Sequence, residues 1–212
     1  MAKKLTPEED MARVSQMWLI ENEKKALGYT SVAGVDEAGR GPLAGPVYAA
    51  AVILPPDLYI PGINDSKKLS EKKREELFDI ICEKAIAYYI AAVDEKVIDE
   101  INILNATHLA MNTALKHIAV QPDFALIDGN RANNTPVPYE TVVKGDSKSI
   151  SIASASILAK VSRDRFITEQ DNLYPEYGFK KHKGYGTAEH IAALKEFGPC
   201  PIHRKTFLKK FI

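Results

Sequence analysis

Three apolar runs in this chain end the same way, in an acid beside a glycine-bearing turn. Val32-Ala33-Gly34-Val35 runs into Asp36-Glu37, Phe124-Ala125-Leu126-Ile127 runs into Asp128-Gly129, and residues 139–143 run into Lys144-Gly145-Asp146. Short apolar runs bounded by turn residues and separated by helical patterns are expected to be strands of a mixed sheet with helices on both faces. Ligands in such sheets sit beyond the carboxyl ends of strands. One Asp-Glu pair beside glycine is an ordinary solvated turn. The repetition is what a turn does not explain. Neighbours on an ideal strand point to opposite faces. Asp36 and Glu37 are therefore expected to share a site only where the strand ends and the backbone rotates, as Gly39 and Gly41 permit.

The expected strands span residues 31–35, 47–54, 87–93, 124–127 and 139–143, with Pro55-Pro56 closing the second. Helices are expected over 7–27, from Ser70 onward, over 95–101, 104–118, 147–170 and 188–197, and briefly after His203. The fold class that follows is α/β, a mixed sheet flanked by helices. Residues 1–30 are expected to form a helical N-terminal extension. Residues 31–212 are expected to form the main domain, with C-terminal helices from about 172.

The chain has 212 residues, 45% hydrophobic and 26% charged, which suits one core-forming domain with an appendage. Net charge is zero, but residues 179–212 carry eight Lys or Arg against two Glu, a net of +6 that suits a polyanion track. Cys82 and Cys200 form neither a disulfide framework nor a metal-ligand spacing. No signal-peptide core opens the chain, and the longest apolar run, near 47–54, is too short to span a membrane. A cytoplasmic monomer without membrane contact is expected.

Asp36, Glu37, Asp128 and Asp146 are hard oxygen donors with no Cys or His beside them, a set suited to Mg2+ or Mn2+ rather than zinc. Clustered carboxylates repel one another, and divalent cations relieve that repulsion. Two such ions can activate a water and stabilise the leaving oxygen of a phosphodiester. An acidic metal site beside a basic tail points to a nuclease. Asp146 also stands where an acid stabilises the dipole of the following helix. Other chemistries are excluded: residues 39–45 lack a dinucleotide fingerprint and no Walker lysine follows. Ser154 and Ser156 lie in a helix without a nucleophile elbow. The five histidines, including His108 and His117, show no metal-binding pair.

Asp36 to Pro46 (DEAGRGPLAGP), Asn64 to Leu69 (NDSKKL), Ile127-Asp128-Gly129, Val143 to Asp146 (VKGD), Ala159 to Asp164 (AKVSRD) and His182 to Thr187 (HKGYGT) resemble, in order, the motifs of type 2 ribonuclease H, ribonuclease HII. The likeness covers residues 31–207. It implies a ribonuclease H-like fold with a five-stranded mixed sheet. It implies cutting of RNA in RNA–DNA hybrids, including 5′ to single ribonucleotides in duplex DNA, with 3′-hydroxyl and 5′-phosphate products. Roles in ribonucleotide excision repair and RNA primer removal follow. It assigns Asp36, Glu37, Asp128 and Asp146 to the metal site, which holds Mn2+ or Mg2+ as two ions. It assigns 2′-hydroxyl recognition to Gly39-Arg40-Gly41, and to Tyr185 contact with that hydroxyl and packing on the neighbouring deoxyribose. Lys67, Lys148, Lys160 and Arg163 are candidate phosphate contacts, Lys160 and Arg163 sharing a helix face. Asp164 is a partner for Lys160 and stays outside the site. The similar type 3 ribonuclease H, which needs longer RNA, and a hybrid-binding module without catalysis are the rival readings. A sliding-clamp contact through residues 205–211 has aromatic spacing too loose to carry an assignment.

Overall fold

A computed structural model describes residues 5–212; residues 1–4 of the expected extension lie outside the described residues. The helices are α1 (Pro7–Gln16), α2 (Leu19–Ala26), α3 (Glu71–Lys84), α4 (Glu95–His117), α5 (Ile150–Leu173), α6 (Phe179–His182), α7 (Ala188–Phe197) and α8 (Lys205–Leu208). The strands are β1 (Val32–Ala38), β2 (Val47–Ile53), β3 (Ala87–Val93), β4 (Phe124–Asp128) and β5 (Tyr139–Val142). They form one five-stranded sheet in the order β3-β2-β1-β4-β5. The first three pair antiparallel, and β4 and β5 join them parallel. The sheet is mixed, as expected.

Strand alternation divides the core. Ala33, Val35, Ala51 and Ile127 pack against Ile98, Ala110 and Leu115 of α4. On the other face, Ala50 and Val52 meet Ala153 and Leu158 of α5 and Leu77 of α3. Gly34 sets how closely β1 and α5 approach. A Cβ built there would lie 2.1 Å from the Ser151 carbonyl carbon, so backbone touches backbone at this crossing. The start of α5, and the turn carrying Asp146 before it, are thereby drawn to the end of the central strand.

Four elements differ from expectation by more than a residue. β1 continues through both acids to Ala38, because Asp36 and Glu37 stay in register with Ala50 and Ala49 of β2. The expected first helix is two helices, since the chain turns at Met17 and Trp18 to bury both side chains. Trp18 donates its indole N–H to the Leu58 carbonyl at 3.1 Å. α5 starts later than expected: residues 145–147 form a short 3-10 turn, and Ser149 caps the helix by accepting from the Ile152 amide. The short α6 was not anticipated. In α4, Asn102 takes φ 66°, and its side chain accepts from the amides of Leu104 and Asn105, which is the break expected between residues 101 and 104.

Candidate active site

Asp36 shares a face of β1 with Gly34, is 4% exposed, and lies in hydrogen-bonding contact with Ser156 of α5. Its Oδ1 accepts from the Glu37 amide at 2.7 Å. Glu37 faces the other way, towards Thr107, His108 and Met111 of α4. The rotation expected after the strand end is therefore not how the pair meets one site. Instead, two recesses of about 320 and 300 Å3 share Glu37, Arg40 and Asp128 as a common wall. The cleft wraps the end of the sheet, so acids on opposite faces of one strand both border it.

Burial, with the charges of Glu37 and Asp128, pushes the Asp36 carboxyl well above the usual range. Burial also raises Glu37, against the pull of Arg40, whose guanidinium lies 3.5 Å away. Asp128 holds the turn before α5 in place, its Oδ1 accepting from the Gly145 amide at 2.6 Å. Asp146 is buried, raised by that burial and by Asp65 and Asp128, and leans to Lys67 at 3.7 Å. Asp65 is thus an acid of this neighbourhood that the sequence did not single out. With side chains in these positions, no three acid, His or Cys groups among the described residues enclose a metal. The donor chemistry still fits a hard divalent cation: carboxylate oxygens, crowded enough to be held up in pKa, and an Asp36 without an ion pair among the described residues.

The turn at residues 39–46 is held from beneath by two buried arginines. Arg204, 0% exposed, donates Nε to Gly45 O (2.8 Å), Nη1 to Arg40 O (3.0 Å) and Pro42 O (2.9 Å), and Nη2 to Gly39 O (2.6 Å). Burial, and then Arg163, pull its pKa down to about 9. Arg163, 1% exposed, donates Nη2 to Ala44 O and Lys183 O and underlies Gly39, where a Cβ would fall 2.2 Å from its Nε. Gly39 has φ +97°, so space and conformation both demand glycine. Arg163 is corrected from a phosphate contact to a support of this turn, because its guanidinium does not reach solvent. The basic tail is likewise not one open face, since Arg204 points inward.

Tyr185 is 46% exposed, borders the cleft, and stands beside Gly41. Its turn is joined to the glycine turn by the Leu43 amide, which donates to Gly184 O at 2.8 Å. Three histidines hold it from behind. His190 Nδ1 donates to Tyr185 O (2.9 Å), leaving Nε2 to accept from His203 Nε2 (2.9 Å), while His203 Nδ1 accepts from the Cys200 amide (3.0 Å). His182 stacks on His190 at 4.5 Å and accepts from the Gly184 amide. Burial, with the charges of His190 and His182, pushes His203 down to about 4. A depressed base stabilises the fold fully above its unfolded pKa of about 6.5, and that contribution is lost as pH falls towards 4. NMR titration of the His203 ring is expected to show a midpoint near 4; a midpoint near 6.5 would show that the relay does not exist.

Lys67 and Lys160 border the cleft beside Asp36 and Tyr185. Lys160 pairs with Asp164 at 2.7 Å, the partnership expected from their spacing. Lys148 does not join them: it lines a separate recess with Arg13 and Met17. Ser156, the arginine fork and the histidine relay were not apparent from sequence. Residues 205–211, whose aromatic spacing was too loose to assign a clamp contact, are folded into the domain, Leu208 buried and Phe207 and Phe211 packed on the same cluster. Among the described residues, no helix is long and apolar enough to cross a membrane.

Residues 33–210 match the family model described as Ribonuclease HII. A Ribonuclease HII of Acetivibrio thermocellus is 56% identical over 210 residues, spanning 99% of this chain and 82% of that protein. Another, from Endomicrobium trichonymphae, is 61% identical over 181 residues, 85% of this chain and 86% of that protein. Among solved structures, the ribonuclease H2 of Pyrococcus horikoshii superposes with a TM-score of 0.69 at 29% identity, covering 84% of this chain and 93% of that one.

Proposed function

Because the chain belongs to the ribonuclease HII family, and so is a ribonuclease H acting on RNA–DNA hybrids, we propose that it also incises duplex DNA 5′ to a single embedded ribonucleotide. Cleavage is two-metal phosphodiester hydrolysis leaving 3′-hydroxyl and 5′-phosphate ends, suited to ribonucleotide excision and primer removal. The observation that carries this reading is one cleft bordered by Asp36, Glu37 and Asp128 and also by Gly39, Arg40, Gly41 and Tyr185. Acids and sugar-reading groups are then within one nucleotide's reach of each other.

Asp36, Glu37, Asp128 and Asp146 are the residues that would hold Mg2+ or Mn2+, which when bound neutralises the crowded carboxylates and polarises the water and the leaving oxygen. Ser156 orients Asp36, and Asp128 ties the Asp146 turn to the strand end. The carbonyls of Gly39 and Arg40 are engaged by Arg204, so the amides of that turn are what it offers to a 2′-hydroxyl oxygen. Tyr185 supplies a ring face for the adjacent sugar. Lys67 and Lys160 meet phosphate.

Tyr185→Ala is expected to lower cleavage at a single ribonucleotide by about tenfold, the worth of one lost stacking contact, and to affect continuous RNA tracts less. Tyr185→Phe should fall between. Equal losses on both substrates, or none, would count against Tyr185 as a reader of the junction.

A further inference from the structure

Glu21 of α2 is 2% exposed and lies outside the cleft. Its Oε1 accepts from Ser149 Oγ at 2.6 Å, from the Ser151 amide at 3.1 Å and from Ser151 Oγ. Its Oε2 is buried with no hydrogen-bond partner among the described residues. A carboxylate is a demanding group to bury, and one so placed is expected to do more than fill space. Its three donors all belong to the first turn of α5 or its cap. The Ile150 amide adds a backbone bond to Met17 O at 3.1 Å.

This contact leads to the site by a short path. Ser149 donates its amide to Gly145 O at 2.8 Å, and Gly145 donates its own to Asp128 Oδ1 at 2.6 Å. Asp146 lies between those two residues, in the 3-10 turn. The other entry to the turn is held from the same helix: Lys24, itself buried, pairs with Glu140 of β5 at 2.5 Å and stands 5.5 Å over the Phe124 ring. α2 therefore grips the chain on both sides of Asp146.

We propose that Glu21 is a positioning residue for hydrolysis: through Ser149 and Ser151 it fixes the 145–149 turn and so sets where Asp146 stands in the site. The inference rests on the reading of Asp146 as a member of the metal site. A carboxylate displaced by a fraction of an ångström still permits substrate to bind, but misplaces the groups that act on it. The extension at the start of the chain is then part of the catalytic architecture, without touching substrate.

The test compares Glu21→Ala, Glu21→Gln and, as a control for general loosening of the extension, Asp10→Asn, which weakens the α1 contacts to Tyr59 and the Gly62 amide. Steady-state cleavage of an RNA–DNA hybrid is measured alongside Mn2+ binding by calorimetry. Glu21→Ala is expected to lower kcat about tenfold with KM within twofold, and to weaken Mn2+ binding severalfold. Glu21→Gln keeps an acceptor oxygen for the serines and is expected to recover part of both. Asp10→Asn is expected to lower thermal stability and leave kcat and Mn2+ binding unchanged. Parental kcat and Mn2+ binding in Glu21→Gln and Glu21→Ala would overturn the inference, as would equal effects from Asp10→Asn. If Glu21→Ala does not fold, Glu21→Gln decides. Asp146→Asn separates the two levels of the argument: if it cleaves normally, the site reading fails and the inference with it. If it is inactive while the Glu21 variants are normal, only the inference fails.

Discussion

Asp128→Asn is expected to reduce hybrid cleavage about a thousandfold, the scale of removing a principal electrostatic group from such a site, while hybrid affinity stays within a few-fold of the parent. Asparagine has nearly the same shape, and its Oδ1 can still accept from the Gly145 amide as the carboxylate does. What is removed is one negative charge. That charge helps push Asp36 and Glu37 upward in pKa, so its loss eases the crowding of the metal-free site. The variant should therefore be folded, and no less stable than the parent without metal. A stable, binding, inactive protein is the signature of a ligand to the reacting centre. Parallel loss of binding, cleavage and thermal stability would identify Asp128 as a folding residue instead.

Arg204→Met is expected to destabilise the protein by about 3–5 kcal/mol, because it strands acceptors that a buried guanidinium satisfies. Four carbonyls of the 39–45 turn converge on one side chain, and its planar fork can reach all of them at once. An ammonium cannot, so Arg204→Lys should recover less than half of the loss. Typical domains have only about 5–15 kcal/mol in hand, which makes this a large fraction. Denaturant unfolding of both variants measures it. Folded Arg204→Lys should in addition distinguish ribose from deoxyribose less well, since the turn bearing Gly39 and Gly41 is no longer held. Stability within 1 kcal/mol of the parent in Arg204→Met, a loss too small for stranded buried acceptors, would contradict the role assigned to the fork.

The parts of this molecule that could be read from sequence are those that depend on local pattern. β3 occupies residues 87–93 and α7 residues 188–197, as their periodicity implied, because each has an apolar face and a clear stop. The break in α4 was visible because Asn102 sits between two apolar repeats. The strand-end acids were visible because three apolar runs repeat the same ending, an acid beside a glycine-bearing turn. The buried roles of Arg163 and Arg204 were not, since a charged residue inside a helix such as α5, or beside a short one such as α8, is by default solvated. The returning 39–46 turn, joined at Arg163 by Lys183 O, surrounds them with carbonyls. His182, His190 and His203 were also hidden, their spacings matching no local period, and the packing of α6 and α7 against the segment at His203, which bridges to Ala44, brings them together. Glu21 carries no local signal of its burial, because the serine at the start of α5 that contacts it lies 128 residues away in sequence.

The most direct test of the central claim is cleavage of duplex DNA containing one ribonucleotide, beside a duplex with four consecutive ribonucleotides and an all-DNA control, in Mg2+ and in Mn2+. The account predicts incision 5′ to the single ribonucleotide in at least one metal, with a 3′-hydroxyl and a 5′-phosphate at the nick, and no cutting of DNA alone. Cleavage confined to the four-ribonucleotide duplex in both metals would contradict it. The Gly39-Arg40-Gly41 turn and Tyr185 would then not be reading the one sugar that the neighbouring acids are placed to act upon.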